Sequence, residues 1–185
     1  MIQLKSLLYE VGEGTVAPFN YNIHTRRSEK KVGVGLKVDT HEKWSYQIDA
    51  YTEDDSGKRI PQDIILQLYK FDHRQKPEGT CILMFEFYSN DESRKYSRVN
   101  SRTYMYRIMS TIMNILRKEI NDDEELGILA YVPIDDRSSK AKENILPGTP
   151  NQRDRLYSAY IRKMFPGATR EEYGKYDIVF WRLKR

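Results

Sequence analysis

The run Cys81-Ile82-Leu83-Met84-Phe85-Glu86-Phe87-Tyr88 constrains the fold more than any other stretch, because Glu86 is its only charge. An apolar run of strand length has to be covered on both faces, which puts it at the centre of a sheet. The pattern then changes period. Met105, Ile108, Met109, Ile112, Leu116 and Ile120 recur at helical spacing over residues 103–120, and Tyr104, Met113 and Ile115 widen the stripe. Arg107, Ser110, Thr111, Asn114 and Lys118 hold the other side. A stripe that broad packs on a sheet rather than on one narrow partner helix. A second apolar run, residues 127–132, ends at Pro133. A helix of about five turns between two strands lets them lie parallel through a right-handed crossover.

The rest of the chain fits round that unit. Residues 19–23 and 44–50 alternate as half-buried strands do, and residues 64–71 make a longer strand. Asp54-Asp55-Ser56-Gly57-Lys58 and Lys76-Pro77-Glu78-Gly79 are turn chemistry, so these strands form an antiparallel meander. Thr149-Pro150-Asn151-Gln152 offers an N-cap threonine, proline at N1 and glutamine at N3. The helix it opens has Leu156, Tyr157, Tyr160, Ile161 and Met164 as its buried stripe, turns Arg153, Asp154, Arg155, Arg162 and Lys163 to water, and stops at Pro166-Gly167. Residues 176–183 make a last strand, with Arg182, Lys184 and Arg185 as a soluble tail. Leu4, Leu7, Leu8 and Val11 make residues 1–12 a short helix or arm that must dock on its own domain or on a partner. The fold class expected is α+β, one domain over residues 1–185, with a single mixed, mostly antiparallel sheet and helices packed on it.

Composition excludes several functions. No apolar run approaches the ~20 residues of a membrane span, and the first residues lack the pattern of a secretory signal. The single cysteine, Cys81, rules out an internal disulfide framework and a multi-thiolate metal site, and His24, His41 and His73 have no ligand spacing. The expected setting is soluble and cytoplasmic. The net charge of +4 argues only weakly for nucleic acid, because acidic residues are interspersed and bunch at Asp122-Asp123-Glu124-Glu125. Gly33-Val34-Gly35 opens like a dinucleotide fingerprint but lacks its third glycine, and Asp54-Asp55 and Asp135-Asp136 read as solvated loop carboxylates.

Around the start of the long helix, Arg94, Lys95, Arg98, Arg102 and Arg107 interleave with Tyr96, Tyr104 and Tyr106. Positive charge beside the positive end of a helix dipole needs an anion to neutralise it. A phosphate-bearing ligand would serve, with tyrosines for stacking, and so would Asp91 and Glu92.

The order of strand 81–88, helix 103–120, strand 127–132 and helix 150–164 resembles the GNAT fold of acyl-CoA N-acyltransferases. The segment Arg153-Asp154-Arg155-Leu156-Tyr157, with the leucine-rich start and the meander, is also similar to small GNAT-like proteins of tailed bacteriophages. The resemblance implies an acetyl group moved from acetyl-CoA to an amine of a small molecule or protein, in a cleft made by the central strand, its helix and the next strand. It puts the CoA pyrophosphate on the turn Arg98-Val99-Asn100-Ser101-Arg102, where backbone N–H groups of a helix start face an anion. That turn keeps the family's arginine, but Asn100, Ser101 and Arg102 stand where small residues are expected, and Asn100 and Ser101 also suit a helix N-cap. The resemblance makes Tyr157 the acid that protonates the leaving thiolate, and Glu86 the base. Taken by themselves, Tyr157 reads equally as a core aromatic and Glu86 as a paired or solvated carboxylate. The rival reading is a non-catalytic protein on the same scaffold: a virion component, a protein-binding module or a nucleic-acid-binding module. In a phage setting the location would be the host cytoplasm or the virion.

Overall fold

The computed structural model describes residues 17–29, 41–72, 81–89, 102–132, 152–171 and 178–184. The expected N-terminal helix at residues 1–12, the turn at 76–79, Gly33–Gly35, the loop from 135 to 148 and the Thr149-Pro150 cap lie outside them.

The strands are β1 (Tyr21–Glu29), β2 (His41–Glu53), β3 (Arg59–Asp72), β4 (Cys81–Ser89), β5 (Leu126–Tyr131), β6 (Thr169–Glu171) and β7 (Val179–Arg182). The helices are α1 (Arg102–Asp122) and α2 (Gln152–Met164). All seven strands join one sheet in the order β1-β2-β3-β4-β5-β7-β6. Every pairing is antiparallel except β4 with β5, which is parallel as the helix between them requires. The α+β class and the mixed, mostly antiparallel sheet therefore stand.

Alternation along each strand divides the core in two. Trp44, Tyr46, Ile48, Leu66, Leu68, Leu83, Phe85, Leu129, Tyr131 and Trp181 share one cluster with the buried stripes of both helices. Phe71, Ile82, Ile128, Ala130 and Phe180 form a smaller cluster on the opposite face. A register shift between Cys81 and Ile82, where β5 spends Gly127 as an extra residue, brings Leu126 and Leu129 to the same side.

Three expectations are corrected. Phe19 is not in a strand: residues 17–19 cross α1 as a strap, and the Phe19 N–H donates to Thr111 Oγ1 at 2.8 Å. Thr111 and Arg107 consequently do not face water. Thr111 is fully buried, and the Arg107 guanidinium lies 3.9 Å over the Phe19 ring while donating to the Ala17 carbonyl and the Tyr51 hydroxyl. Asp154 is also buried, although a charged residue at that place in the helix was expected outside. The strand β6 had no counterpart in the sequence reading. Arg182, read as part of a tail, donates to Glu171 of β6 at 2.5 Å.

The far end of α1 carries acid where the dipole favours base, with no basic residue in its last turn. The sheet supplies the cations. Arg27 pairs with Glu119 at 3.1 Å and Asp123 at 3.3 Å, and Lys70 meets Asp123 at 2.8 Å and Glu125 at 2.5 Å. Tyr46 donates to Glu119 from the sheet below.

Candidate functional site

The place to look for a ligand is where the two parallel strands part. β3 pairs with β4 over its whole length, from Asp72↔Cys81 to Ile64↔Ser89. β5 pairs with β4 only as far as Phe85↔Tyr131. Glu86, Phe87 and Tyr88 therefore have β3 on one side and no β5 partner on the other. A strand edge left unpaired inside a sheet presents backbone donors and acceptors to whatever enters the notch. The start of α1 lies at this end of the sheet: Arg107 reaches the Tyr51 hydroxyl, and Tyr51 is opposite Pro61, close along β3 to the Ile64↔Ser89 rung.

Tyr157 covers the point of parting. Its ring lies 5.0 Å from Tyr131 and 5.6 Å from Phe85, the last paired rung, and 6.0 Å from Phe87, the first apolar residue beyond it. The T-shaped contact with Tyr131 is a favoured geometry for aromatic pairs. Tyr157 is only 4% exposed, so the core-aromatic reading and the site reading fall on one side chain.

A polar network holds α2 in this position. The Tyr131 hydroxyl donates to Asp154 Oδ1 at 2.6 Å and lies 3.1 Å from Ser158 Oγ. Asp154 Oδ2 accepts from Arg170 Nη1 at 3.1 Å. Burial first, and then the Asp154 carboxylate, pushes the Tyr131 hydroxyl above the ordinary phenol range. The signal for this network was present in the spacing: Asp154, Tyr157, Ser158 and Ile161 fall at i, i+3, i+4 and i+7, one helix face. Residue type hid it, since aspartate and serine read as solvent-facing.

Glu86 lies on the opposite face of the sheet from Tyr157, as alternation with Ile82 and Met84 requires. It is exposed, and its Oε1 accepts from the Tyr69 hydroxyl at 2.7 Å. Burial, then the hydrogen bond and charge of Glu86, raise the Tyr69 hydroxyl above its ordinary range. The structure therefore brings Glu86 and Tyr157 to the same notch but not to the same side of it. Arg98, Asn100 and Ser101 lie outside the described residues, and Arg102 is the first residue of α1. Of the basic cluster at that helix start, Arg107 is accounted for without an anion, by the Phe19 and Tyr51 rings and its hydrogen bonds.

Among the described residues no three His, Cys, Asp or Glu side chains converge as metal ligands would. No described helix is long and apolar enough to cross a membrane, which says nothing of strands. No family model, no curated protein and no solved structure matches this chain.

Proposed function

We propose that this chain is a GNAT-like N-acetyltransferase that takes acetyl-CoA in the notch between β4 and β5 and delivers the acetyl group to an amine. The observation that carries the reading is the end of β4–β5 pairing at Phe85↔Tyr131, with the Tyr157 ring over the gap. The β4–α1–β5 unit supports it as the cleft-forming part of the resembled fold. Arg98, Asn100, Ser101 and Arg102, leading into α1, would hold the pyrophosphate by charge and by helix-start N–H groups.

In this mechanism the amine nitrogen attacks the thioester carbonyl carbon, and the carbon–sulfur bond breaks as the tetrahedral intermediate collapses. The proton released by nitrogen passes to the Glu86 carboxylate. Because Glu86 is on the other side of the sheet, a water relays that proton through the gap. The Tyr157 hydroxyl gives its proton to the departing thiolate of CoA and regains one from solvent. An acid and a base on opposite lips of one opening let donor and acceptor approach from opposite sides.

The test is acetyl-CoA added to the pure protein while thermal unfolding and transfer to an amine are followed. Ligand at a hundred times its dissociation constant adds about 2.7 kcal/mol. Tyr157→Phe and Glu86→Gln are expected to keep that stabilisation and to slow transfer by roughly 10²-fold or more. No stabilisation at millimolar acetyl-CoA would overturn the proposal.

One observation favours a non-catalytic module instead, namely the enclosure of Tyr157 among Phe85, Phe87 and Tyr131 at 4% exposure. On that reading acetyl-CoA leaves the unfolding temperature unchanged, and Tyr157→Phe has no consequence beyond packing.

A further inference from the structure

We infer that the outer edge of β1 docks an extended, acidic segment of a partner protein by strand addition, using the groove behind it. The surface is at the opposite end of α1 from the notch, beside Glu119 and Asp123, so the inference does not rest on the transferase reading. β1 is the terminal strand of the sheet order, and among the described residues it pairs with β2 alone. Residues 22–28 are all exposed, and Ile23 has 63% of its surface open to solvent, unusual for an isoleucine in a strand. An exposed edge carries unpaired backbone N–H and C=O groups that template another strand.

The groove, of about 390 Å³, is lined by Ile23, Arg26, Arg27, Trp44, Tyr46 and Glu119 among others. Register shifts on either side of Thr25 allow neighbouring residues of β1 to reach it together, which strict alternation forbids. The Trp44 Nε1 is buried with no hydrogen-bond partner among the described residues, a donor that an incoming carbonyl or carboxylate would satisfy.

Charge selects the occupant. Between Asn22 and Ser28 the ionisable residues are His24, Arg26 and Arg27, all potentially cationic. Arg27 is spoken for by Glu42, Glu119 and Asp123, whereas Arg26 has no ion-pair partner among the described residues. A second copy of β1 laid antiparallel would set these cations against themselves. A nucleic-acid backbone would meet the carboxylates of Glu42, Glu119 and Asp123 at the groove. An extended peptide with alternating acidic and β-branched residues meets Arg26 with a carboxylate, covers Ile23 with an apolar group and pairs its backbone with the edge. The other edge strand, β6, is short, and its Arg170 and Glu171 are committed to Asp154 and Arg182.

The experiment uses the full chain and a blocked synthetic peptide of about eight residues, glutamate alternating with valine, long enough to span β1 at ~3.4 Å per residue. The expected result is saturable binding below millimolar concentration, with amide shifts confined to β1 and the residues lining its groove. Arg26→Glu and Ile23→Asp, both at exposed positions, should each weaken it by at least about tenfold, while Lys58→Glu, the same charge change in the β2–β3 turn, should leave it intact. Absence of saturable binding, shifts located elsewhere, loss on Lys58→Glu, or tighter binding of an oligothymidylate of similar length would each overturn the inference.

Discussion

Lys70 projects from β3 towards the helices, and its ammonium survives there because two carboxylates meet it. It is 8% exposed, with Asp123 at 2.8 Å and Glu125 at 2.5 Å from Nζ. Burial works against the charge of Lys70, but the hydrogen bonds from Asp123 and Glu125 outweigh it and raise the ammonium above its ordinary range. Burial likewise pulls Asp123 up, and Lys70 followed by Arg27 hold it below the usual carboxylate value near 3.8. Lys70→Met leaves Asp123 and Glu125 together without their shared cation, and is expected to cost about 1–3 kcal/mol in urea unfolding at neutral pH. The sign of the acid dependence follows. A carboxylate depressed in the fold contributes stability that is complete above its unfolded value and is lost as pH falls through the folded one. The gap between the two proteins should therefore narrow below about pH 4, and a constant gap down to acid unfolding would contradict the pairing. No sequence pattern announces this pair, since Asp123 lies 53 residues from Lys70.

At the scale of elements, periodicity carried the reading where burial is one-sided or complete. The stripe over residues 103–120 becomes α1 at Arg102–Asp122, and the two apolar runs become the parallel neighbours β4 and β5. It failed where structure is made by tertiary contact. Thr169-Arg170-Glu171 has no alternation to read, and pairing with β7 plus the ion pairs of Arg170 and Glu171 make it a strand. Phe19 reads as strand because it is followed by alternation, yet it anchors to Thr111 on a helix 92 residues away. At the candidate site Glu86 and Tyr157 were legible as individual residues; the sheet between them was not, because the pairing of β4 and β5 fixes it. Tyr131, joining β5 to α2 through Asp154, was invisible for the same reason. Tyr131→Phe removes the donor to a buried carboxylate and is expected to cost about 1–3 kcal/mol. Denaturant unfolding with an unchanged m-value checks it, and a loss below about 0.5 kcal/mol would show the network to be dispensable.

The whole molecule is rich in tyrosine, with 14 in the chain, and the buried ones couple its stability to alkaline pH. Burial is the leading cause that raises Tyr46, Tyr69, Tyr131 and Tyr160 above their ordinary value of 10.0, and it pushes Tyr104 up to about 12. These acids are favoured in the neutral form by the fold, so their contribution is complete below pH 10 and drains away as pH rises beyond it. Tyrosinate absorbance from them is expected to appear together with loss of the far-UV circular dichroism signal. Smooth ionisation near pH 10 with that signal intact would contradict their burial. The central claim, a ligand notch where β4 and β5 part, is tested most directly by amide hydrogen exchange of the full chain with and without acetyl-CoA at millimolar concentration. The account predicts slowed exchange at Glu86, Phe87 and Tyr88 and in α2 around Tyr157. Unchanged exchange there, or slowing confined to β1 and β2, would contradict it.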